Sequence, residues 1–419
     1  MYKPISFSDK FSSILLWMAL FTLPISIHLN SYTFAIFMIS TLILKIKEKA
    51  VIQIHPFMMV CVVFFILTAL EYFNSYDKIS AKNFIEKRLG YLFIPILFYQ
   101  VNANILKNVL LFWVKAIMLL LIFLLLYAFI RYIKGSDGSV FYYHELCYPI
   151  YNHAIFISLI VSIAMLITWF YYSPSKKYIK ILLLLLFYFF LMLLSSKNIF
   201  TVTSIIFFVL VSKKIISMKL WLSGAVFIVL GTAFLLSLEN SNIISRIKQA
   251  SQYDFHLAYA TKVTEATRFD GTNLRLRLWN YGWHILSENN AFVWGVSPAD
   301  TQRLLDAKII KSDMYIGSDK KSDKGFLGYD FHNQYVQTFV ETGIIGLVLL
   351  LSMFLILLYE GYVNKTPFLI FLNILFAVAF ISESNLGRQA GIFSFLAFNT
   401  IGLLLIKIKN TDEYNQTTI

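Results

Sequence analysis

The sequence predicts an all-α polytopic membrane protein of about twelve transmembrane helices, with one large, mostly helical outer loop before the last three spans. Hydrophobic residues make up 58% of the 419 positions and charged residues only 14%, a balance that does not suit the surface of a soluble protein. Apolar stretches long enough to cross a bilayer recur along the chain. These stretches are continuous and do not alternate with polar residues, so they predict helices and not the strands of a barrel, the other backbone arrangement that lipid tolerates.

The predicted spans follow one another closely, except between the ninth and the tenth. The chain is therefore divided into spans one to nine (1–238), an outer loop domain (239–333), spans ten to twelve (334–409) and a tail (410–419). Apolar residues at helical spacing in "LRLRLWNYGWHIL" predict that the loop domain is mostly helical. The predicted spans are 12–29, 31–46, 56–72, 89–103, 105–132, 148–172, 178–195, 198–212, 218–238, 334–360, 366–382 and 389–407.

Clusters of lysine predict how the spans are oriented. With this set of spans, four clusters fall on the same side of the membrane, and positive residues concentrate on the cytoplasmic side. Both termini are then cytoplasmic, and the loop domain is on the outer side. The clusters follow the second, sixth, eighth and last spans and comprise Lys45, Lys47 and Lys49; Lys176, Lys177 and Lys180; Lys213, Lys214 and Lys219; and Lys407 and Lys409.

One predicted outer loop, residues 73–88, breaks this rule because it carries Lys78, Lys82, Lys87 and Arg88. The exception has two explanations: an error in the set of spans, or a functional positive cluster on the outer face. The agreement of the other clusters favours the second.

The composition also excludes several classes of function. The net charge of +13 comes mostly from short clusters between apolar runs, which is a topology signal and does not indicate nucleic-acid binding. Cys61 and Cys147 are far apart and belong to no ligand pattern, so neither a zinc site nor a disulfide framework is predicted. The outer face has no paired-carboxylate metal motif, and the sequence predicts no metal and no cofactor.

Several ionisable residues are predicted to meet on the outer face. His332 lies where the outer loop re-enters the membrane, Arg275 lies in the loop domain, and Lys197 lies in a very short outer turn. Glu383 and Arg388 lie in the last outer turn. A lone histidine or lysine at such a position is commonly a cap or a side chain that reaches the interface. Several cations near one histidine instead indicate a site for a phosphate-bearing ligand, because arginine binds phosphate through two parallel charge-assisted bonds.

This group of residues suggests a chemistry. A neutral imidazole can take a proton from a hydroxyl group, and guanidinium groups can stabilise the charge that develops on a departing diphosphate. Together they predict transfer of a group from a lipid diphosphate to an alcohol.

The outer-face motifs resemble those of the O-antigen ligase and O-antigen polymerase superfamily of bacterial envelope glycosyltransferases, and of the ligases most closely. The matching stretches are "RLRLWNYGWHILSENNAFVWGVS" (275–297), "FHNQYVQTFVETGIIGL" (331–347) and "SESNLGRQAG" (382–391). In pattern, the resemblance covers roughly residues 195–400. It implies a multi-pass protein of the bacterial inner membrane whose active site faces the periplasm, so that the outer loop domain is periplasmic.

The resemblance also implies roles for individual residues. His332 matches the family histidine that activates the acceptor hydroxyl, and Arg275 matches the arginine that contacts the diphosphate of the undecaprenyl carrier. Arg277, two residues on, is a further substrate-binding candidate, but it lies nearly opposite Arg275 on a helix, so the two arginines are not expected to share one role. Lys197 stands where the family usually has arginine, and it keeps the charge but loses the bidentate fork.

Further substrate-binding candidates are Lys87 and Arg88, which precede a span at a place where the family often has a cation near the carrier phosphates. Arg388 either binds the diphosphate or orients Glu383. His153 has a counterpart in similar proteins but is equally consistent with an interfacial residue. Trp279, Trp283 and Trp294 either stack on sugar or pack the loop domain against the membrane, and tryptophan's preference for interfaces favours packing.

The resulting hypothesis is an O-antigen ligase, a membrane glycosyltransferase of lipopolysaccharide biosynthesis. It would move O-antigen from undecaprenyl diphosphate to a sugar hydroxyl of lipid A–core with inversion and without a metal. An O-antigen polymerase, which extends carrier-linked repeat units, needs the same donor, cations and base. A lipid or polysaccharide transporter is the alternative from another class, but it predicts charges near the middle of the membrane and matching halves. Here the informative charges gather at one face.

Overall fold

A computed structural model of the chain describes residues 7–49, 52–214, 256–260, 262–267, 269–318 and 323–417. The predicted ninth span, 218–238, lies outside these residues, as does the beginning of the predicted loop domain. The helices of the described residues are α1 (Phe7–Thr22), α2 (Ile27–Lys47), α3 (Pro56–Asn74), α4 (Lys78–Phe98), α5 (Ala103–Ile133), α6 (Tyr143–Leu146), α7 (Ala154–Tyr171), α8 (Lys177–Leu194), α9 (Lys197–Lys214), α10 (His256–Tyr259), α11 (Gly271–Glu288), α12 (Pro298–Lys311), α13 (Gln334–Val363), α14 (Pro367–Ser382) and α15 (Gln389–Thr417).

The predicted all-α polytopic fold is confirmed. Every predicted span within the described ranges overlaps a helix, although the first, 12–29, runs through the turn between α1 and α2, and those ranges contain no β-strand. Seven of the described helices are long and apolar enough to cross a membrane, and three further apolar helices are shorter. The longest stretch between such helices that the structure describes contains α10, α11 and α12, which is the helical loop domain expected before the last three spans.

The segment predicted as an outer loop at residues 73–88 is largely helical, and this part of the prediction is wrong. Asp77 caps the N-terminus of α4, because its carboxylate accepts hydrogen bonds from the backbone amides of Ile79 and Ser80. The helix therefore starts at Lys78 and carries the cations of the segment along its first turns. The charged residues of this segment lower its hydropathy, so hydropathy alone does not predict a helix here. A cap residue followed by helical sequence nevertheless marks its start.

Contacts between loops define the two ends of the helical bundle. At one end, which we call the site face, the Asn152 amide donates to the carbonyl of Pro24 and the Ser75 hydroxyl donates to Asp300 of the loop domain. The turn after α14 also belongs to this end, since the Ser384 hydroxyl accepts from the amide of Asn333. The loops at 23–26, 75–77, 148–153 and 383–388 thus share one face with the loop domain.

Other loops meet at the opposite end of the bundle. Gln53 and Gln100 exchange hydrogen bonds through backbone and side chain, and the His55 imidazole lies 3.4 Å from the Glu360 carboxylate. The Lys407 ammonium contacts the side chain of Gln53. The lysines at the end of α2 and around the start of α8 belong to this end as well. These lysines and Lys407 therefore lie at the end opposite the loop domain, whereas the predicted cluster of Lys213, Lys214 and Lys219 lies outside the described side chains.

The loop domain packs on α13 where that helix is broken. Gly343 has φ +64° and interrupts the helical backbone. There the amides of Val296 and Ser297 donate to the carbonyls of Val340 and Glu341, which a continuous helix would have used itself. Gly295, also with positive φ, fits against this break, and a Cβ on it would lie 2.4 Å from the backbone of Glu341. Both positions therefore require glycine.

Candidate functional site

His332 lies in the tight turn that leads into α13. Its φ is +47°, in the left-handed region that histidine tolerates better than most residues. Four hydrogen bonds hold the turn. The His332 amide donates to Asp330 Oδ1 at 2.7 Å and the Trp279 indole donates to the carbonyl of Phe331 at 2.9 Å, while the Asn333 side chain accepts from two backbone amides at the start of α13. The position of the histidine backbone is thus fixed by groups on two helices.

Two carboxylates face the same nitrogen of this histidine. Nδ1 of His332 lies 3.6 Å from Asp330 Oδ1 and 3.6 Å from Glu383 Oε2. These distances suit ion pairing but exceed a hydrogen bond, and Nδ1 is buried without a hydrogen-bond partner. The ring of Tyr329 meets the imidazole edge to face, with centroids 5.7 Å apart. Carboxylates on the Nδ1 side favour a proton there and leave Nε2 as the acceptor nitrogen.

The same two carboxylates connect the histidine to two arginines. Arg275 Nη2 lies 3.8 Å from Glu383 Oε1, and Arg388 Nη2 lies 3.8 Å from Asp330 Oδ2. Arg275 also donates to the backbone carbonyls of Gly271 and, at 3.5 Å, Ser382. The structure therefore brings together three residues that the sequence singled out, His332, Arg275 and Arg388, and it does so through Asp330 and Glu383.

The electrostatics of the cluster favour an ionised Glu383. Burial acts to raise the pKa of its carboxyl group, because the side chain is only 11% exposed. The imidazole of His332 and the guanidinium groups of Arg275 and Arg388 outweigh this effect, and the pKa of the carboxyl lies below its ordinary value. Two carboxylates and two guanidinium groups thus surround the imidazole with balanced charge.

Arg88 lies elsewhere, in a buried ion pair. Its guanidinium contacts the Glu341 carboxylate, and both side chains are almost completely buried between α4 and α13. The Gln337 amide donates to the other oxygen of Glu341 at 2.8 Å. Lys87 is exposed on the neighbouring surface of α4, with its ammonium 5.2 Å from the centroid of the Phe84 ring. Of the two basic residues predicted near the carrier phosphates, only Lys87 is thus accessible at its surface.

Arg277 belongs to the interior of the loop domain. It is fully buried, its Nε donates to the Tyr281 hydroxyl at 2.6 Å, and its Nη1 donates to the carbonyl of Leu257 at 2.7 Å. The ring of Phe269 stacks beneath its guanidinium. These contacts give Arg277 a packing role and do not place it in the His332 cluster, which corrects its assignment as a substrate-binding residue.

Lys197 is the first residue of α9 and follows the turn at Ser195 and Ser196. Its side chain is exposed at the site face. Ser195 adopts a left-handed conformation that ends α8 and lets the chain reverse at once. The very short turn predicted from the sequence is therefore present, with the lysine at its end.

Sequence reasoning missed Asp330 and left His153 outside the site. Asp330 lies two residues before the histidine in "YDFH", and that spacing was the available signal. His153 precedes α7 and packs edge to face on the ring of His144, with centroids 5.1 Å apart. Burial is the main reason that its pKa is lowered, and Arg388 adds to the effect while nearby carboxylates oppose it. His153 is therefore close enough to the cluster for the charges of Arg388, Glu383 and Asp330 to affect its pKa.

No group of three or more histidine, cysteine or carboxylate side chains suited to a metal ion occurs among the residues that the structure describes. Residues 181–351 match the model of a protein family described as O-antigen ligase. The match covers Lys197, Arg275 and His332, and it confirms the resemblance predicted from the sequence motifs. A comparison with curated proteins finds no match to the chain.

Proposed function

We propose that this chain, whose residues 181–351 match the O-antigen ligase family model, transfers O-antigen from undecaprenyl diphosphate to a sugar hydroxyl of lipid A–core. The family consists of membrane enzymes of the glycosyltransferase or ligase type, and the apolar helices make the chain a multi-pass membrane protein. In the proposed setting the protein lies in the bacterial inner membrane, and its site face is periplasmic.

The observation that carries the proposal is the pair of carboxylates on the Nδ1 side of His332. They orient the imidazole and favour the tautomer whose Nε2 accepts a proton. A base of this kind suits an acceptor that attacks through a hydroxyl group. The carboxylates also stabilise the imidazolium that forms when the proton arrives, as an orienting carboxylate does in a catalytic triad.

The arginines supply the second requirement, a site for the leaving group. Arg275 and Arg388 lie 3.8 Å from their carboxylates, which is longer than the charge-assisted hydrogen bonds that such pairs can form. Their N–H groups are thus not saturated by the protein, and the Nε of Arg275 is buried without a partner. An entering diphosphate can satisfy these donors and receive the charge that develops during transfer.

The proposed reaction is a single displacement with inversion. The acceptor oxygen forms a bond to the anomeric carbon of the donor sugar while the bond from that carbon to the diphosphate oxygen breaks. The hydroxyl proton passes to His332 Nε2, and the bonding electron pair leaves with the undecaprenyl diphosphate. Arg275 and Arg388 provide the positive charge for the leaving group in this scheme, so the proposed step uses no metal and no cofactor.

Lipopolysaccharide profiling tests the proposal. The host would lack its own ligase but still make O-antigen and a matching core, and the chain would be compared with His332→Ala and Arg275→Ala. His284 and Arg303 are exposed on the same domain, outside the cluster, so His284→Ala and Arg303→Ala are matched controls. We expect long-chain lipopolysaccharide from the parent and both controls, and its loss in both cluster variants at equal membrane levels.

The other outcomes of this experiment distinguish the ligase from a polymerase and from a transporter. If a well-expressed parent fails to restore long-chain lipopolysaccharide, the ligase assignment fails, and restoration in a polymerase-deficient host would identify the acceptor as a carrier-linked repeat unit. If ligation survives both His332→Ala and Arg275→Ala, the cluster is not the active site. A transporter would be indicated if the chain moved the lipid-linked glycan across the membrane without transferring it.

A further inference from the structure

The second part of α13 has the dimensions of a complete membrane span. From the break at Gly343 to its end at Val363 the helix has about 20 residues and a length of about 30 Å, which matches the hydrocarbon core of a bilayer. One face of this segment is an exposed apolar stripe. Its members recur at helical spacing and are Ile344, Val348, Leu351, Leu355, Tyr359 and Tyr362.

The stripe ends in aromatic residues at the face of the bundle opposite the site. Tyr359 and Tyr362 are 64% and 77% exposed, and the adjacent Glu360 contacts His55 between α2 and α3. Tyrosine and tryptophan collect where a membrane span meets the headgroup region. These tyrosines therefore mark the level of one membrane surface.

The other end of the stripe continues directly into the loop domain. The amide of Ile344 donates to the carbonyl of Phe292 at 2.9 Å. Gly343 lies so close to Val293 that a Cβ on it would be 2.1 Å from the Val293 carbonyl oxygen. The ring of Trp283 stacks edge to face on Phe292, with centroids 5.1 Å apart.

Three large side chains at this junction point outward from the domain. Trp283, Val293 and Trp294 are 59%, 50% and 57% exposed, and we call them the aromatic patch. Isolated exposed apolar residues are ordinary on a protein surface. Two tryptophans beside a valine at the end of an exposed apolar stripe are different. They adjoin the break at Gly343, which lies about 24–28 Å along the helix from the tyrosines, close to the thickness of a bilayer core.

We propose that the aromatic patch inserts into the membrane leaflet on the site face and docks the loop domain on the lipid surface. The patch adjoins the exposed stripe of α13, because the backbone of Phe292 and Val293 packs on Gly343 and Ile344. It supplies aromatic residues on the site face, as the two tyrosines do on the opposite face. A lipid surface accounts for both features, whereas a sugar ligand or a second copy of the chain accounts for the patch alone. The inference does not depend on the proposed reaction.

Docking at this point has a consequence for the site. Arg275 and Trp283 lie on the same helix, two turns apart, so their Cα atoms differ by about 12 Å along the axis of α11. Gly282 lets that helix approach α13 closely, because a Cβ on it would lie 3.0 Å from Val340. A patch anchored in lipid therefore fixes the position of Arg275 relative to the headgroup region. The diphosphate of a lipid carrier lies in that region.

Tryptophan quenching by brominated lipids tests the proposal with the full chain in vesicles. Trp283→Phe and Trp294→Phe would be compared with the parent and with Trp113→Phe, which removes a fully buried tryptophan. We expect each patch variant to lose part of the emission that the lipids quench, and the double variant to lose the sum. Lipids brominated near the headgroup should quench this part more strongly than lipids brominated near the chain ends. The Trp113→Phe variant should leave the quenched emission unchanged.

Aqueous iodide provides the opposing measurement. Iodide quenching of Trp283 and Trp294 without quenching by brominated lipids would show that the patch faces water and would overturn the proposal. Protection from both quenchers would show that protein covers the patch, as in an association of two copies, and would overturn it as well.

Discussion

The Glu383→Gln substitution tests whether Glu383 orients His332 through its charge or only packs against it. It keeps the shape of the side chain and removes the charge that lies 3.6 Å from His332 Nδ1. With an effective dielectric constant of about 20, unit charges at this distance attract by about 4.6 kcal/mol. The His332 side chain is 24% exposed and Asp330 still faces it after the change, so we take roughly half of this value, about 2 kcal/mol. Each 1.36 kcal/mol is a factor of ten, and transfer should slow about 30-fold.

The assay is transfer of a carrier-linked glycan to the acceptor by purified protein at saturating donor. A merely structural effect would lower the amount of folded, active protein without changing the rate per folded molecule. Loss of the Glu383 charge should instead lower the rate per folded molecule, because the imidazolium that forms during transfer loses a nearby anion. Glu288→Gln is the matched control, since Glu288 pairs with Lys308 at the exposed surface. A rate per folded molecule within about twofold of the parent would refute the orienting role.

Three further predictions concern stability and are checked by thermal unfolding in detergent. Glu383 has a folded-state pKa below its ordinary value, so it contributes stability at neutral pH that is lost as the pH falls through the lowered pKa, and the deficit of Glu383→Gln should vanish there. Arg88→Met should cost about 3–5 kcal/mol because it leaves Glu341 buried and unpaired, and Arg88→Met with Glu341→Leu should recover most of that loss. Gly343→Ala should cost on the order of 3 kcal/mol or more, since φ is positive and the new Cβ meets the carbonyl of Val293. Equal stability of the single and double Arg88 variants, or a neutral Gly343→Ala, would contradict the contacts on which these values rest.

Apolar length alone predicts most of the bundle, because a span of lipid must be matched by a helix of corresponding length. The same reasoning fails at α4, where the cations on its first turns lower the hydropathy although the chain is helical from Lys78. It also cannot locate the break at Gly343. That break is created by the loop segment around Gly295, which takes over two carbonyls of the helix from a distance of about 45 residues.

The candidate site was predictable in part for a similar reason. His332, Arg275 and Arg388 were identified by residue type and by their side of the membrane, both of which can be read from the sequence. Asp330 and Glu383 connect them, and which carboxylate meets which cation depends on how the turn before α13 and the turn after α14 are packed. The acidic residues are present in the sequence, but only the three-dimensional structure shows which imidazole or guanidinium group each of them contacts.

Helix geometry distinguishes Arg275 from Arg277, two arginines of the same helix. Two residues apart, they project from α11 about 200° apart, so one of them must share the face of the helix that packs in the domain. Arg277 lies one turn before Tyr281, two before Ile285 and next to Leu278, all of them buried. That spacing predicts the interior for Arg277 and leaves Arg275 for the cluster, a distinction that residue type alone cannot make.

The charge balance of the cluster links its two proposed tasks. With a neutral imidazole, the carboxylates of Asp330 and Glu383 match the guanidinium groups of Arg275 and Arg388. A proton that His332 takes from the acceptor adds one positive charge to this balanced group at the moment when the diphosphate departs with its electron pair. The base thus strengthens the site for the leaving group as it activates the acceptor. A cluster with more cations than carboxylates would hold the diphosphate tightly before and after transfer alike, which lowers KM without raising kcat.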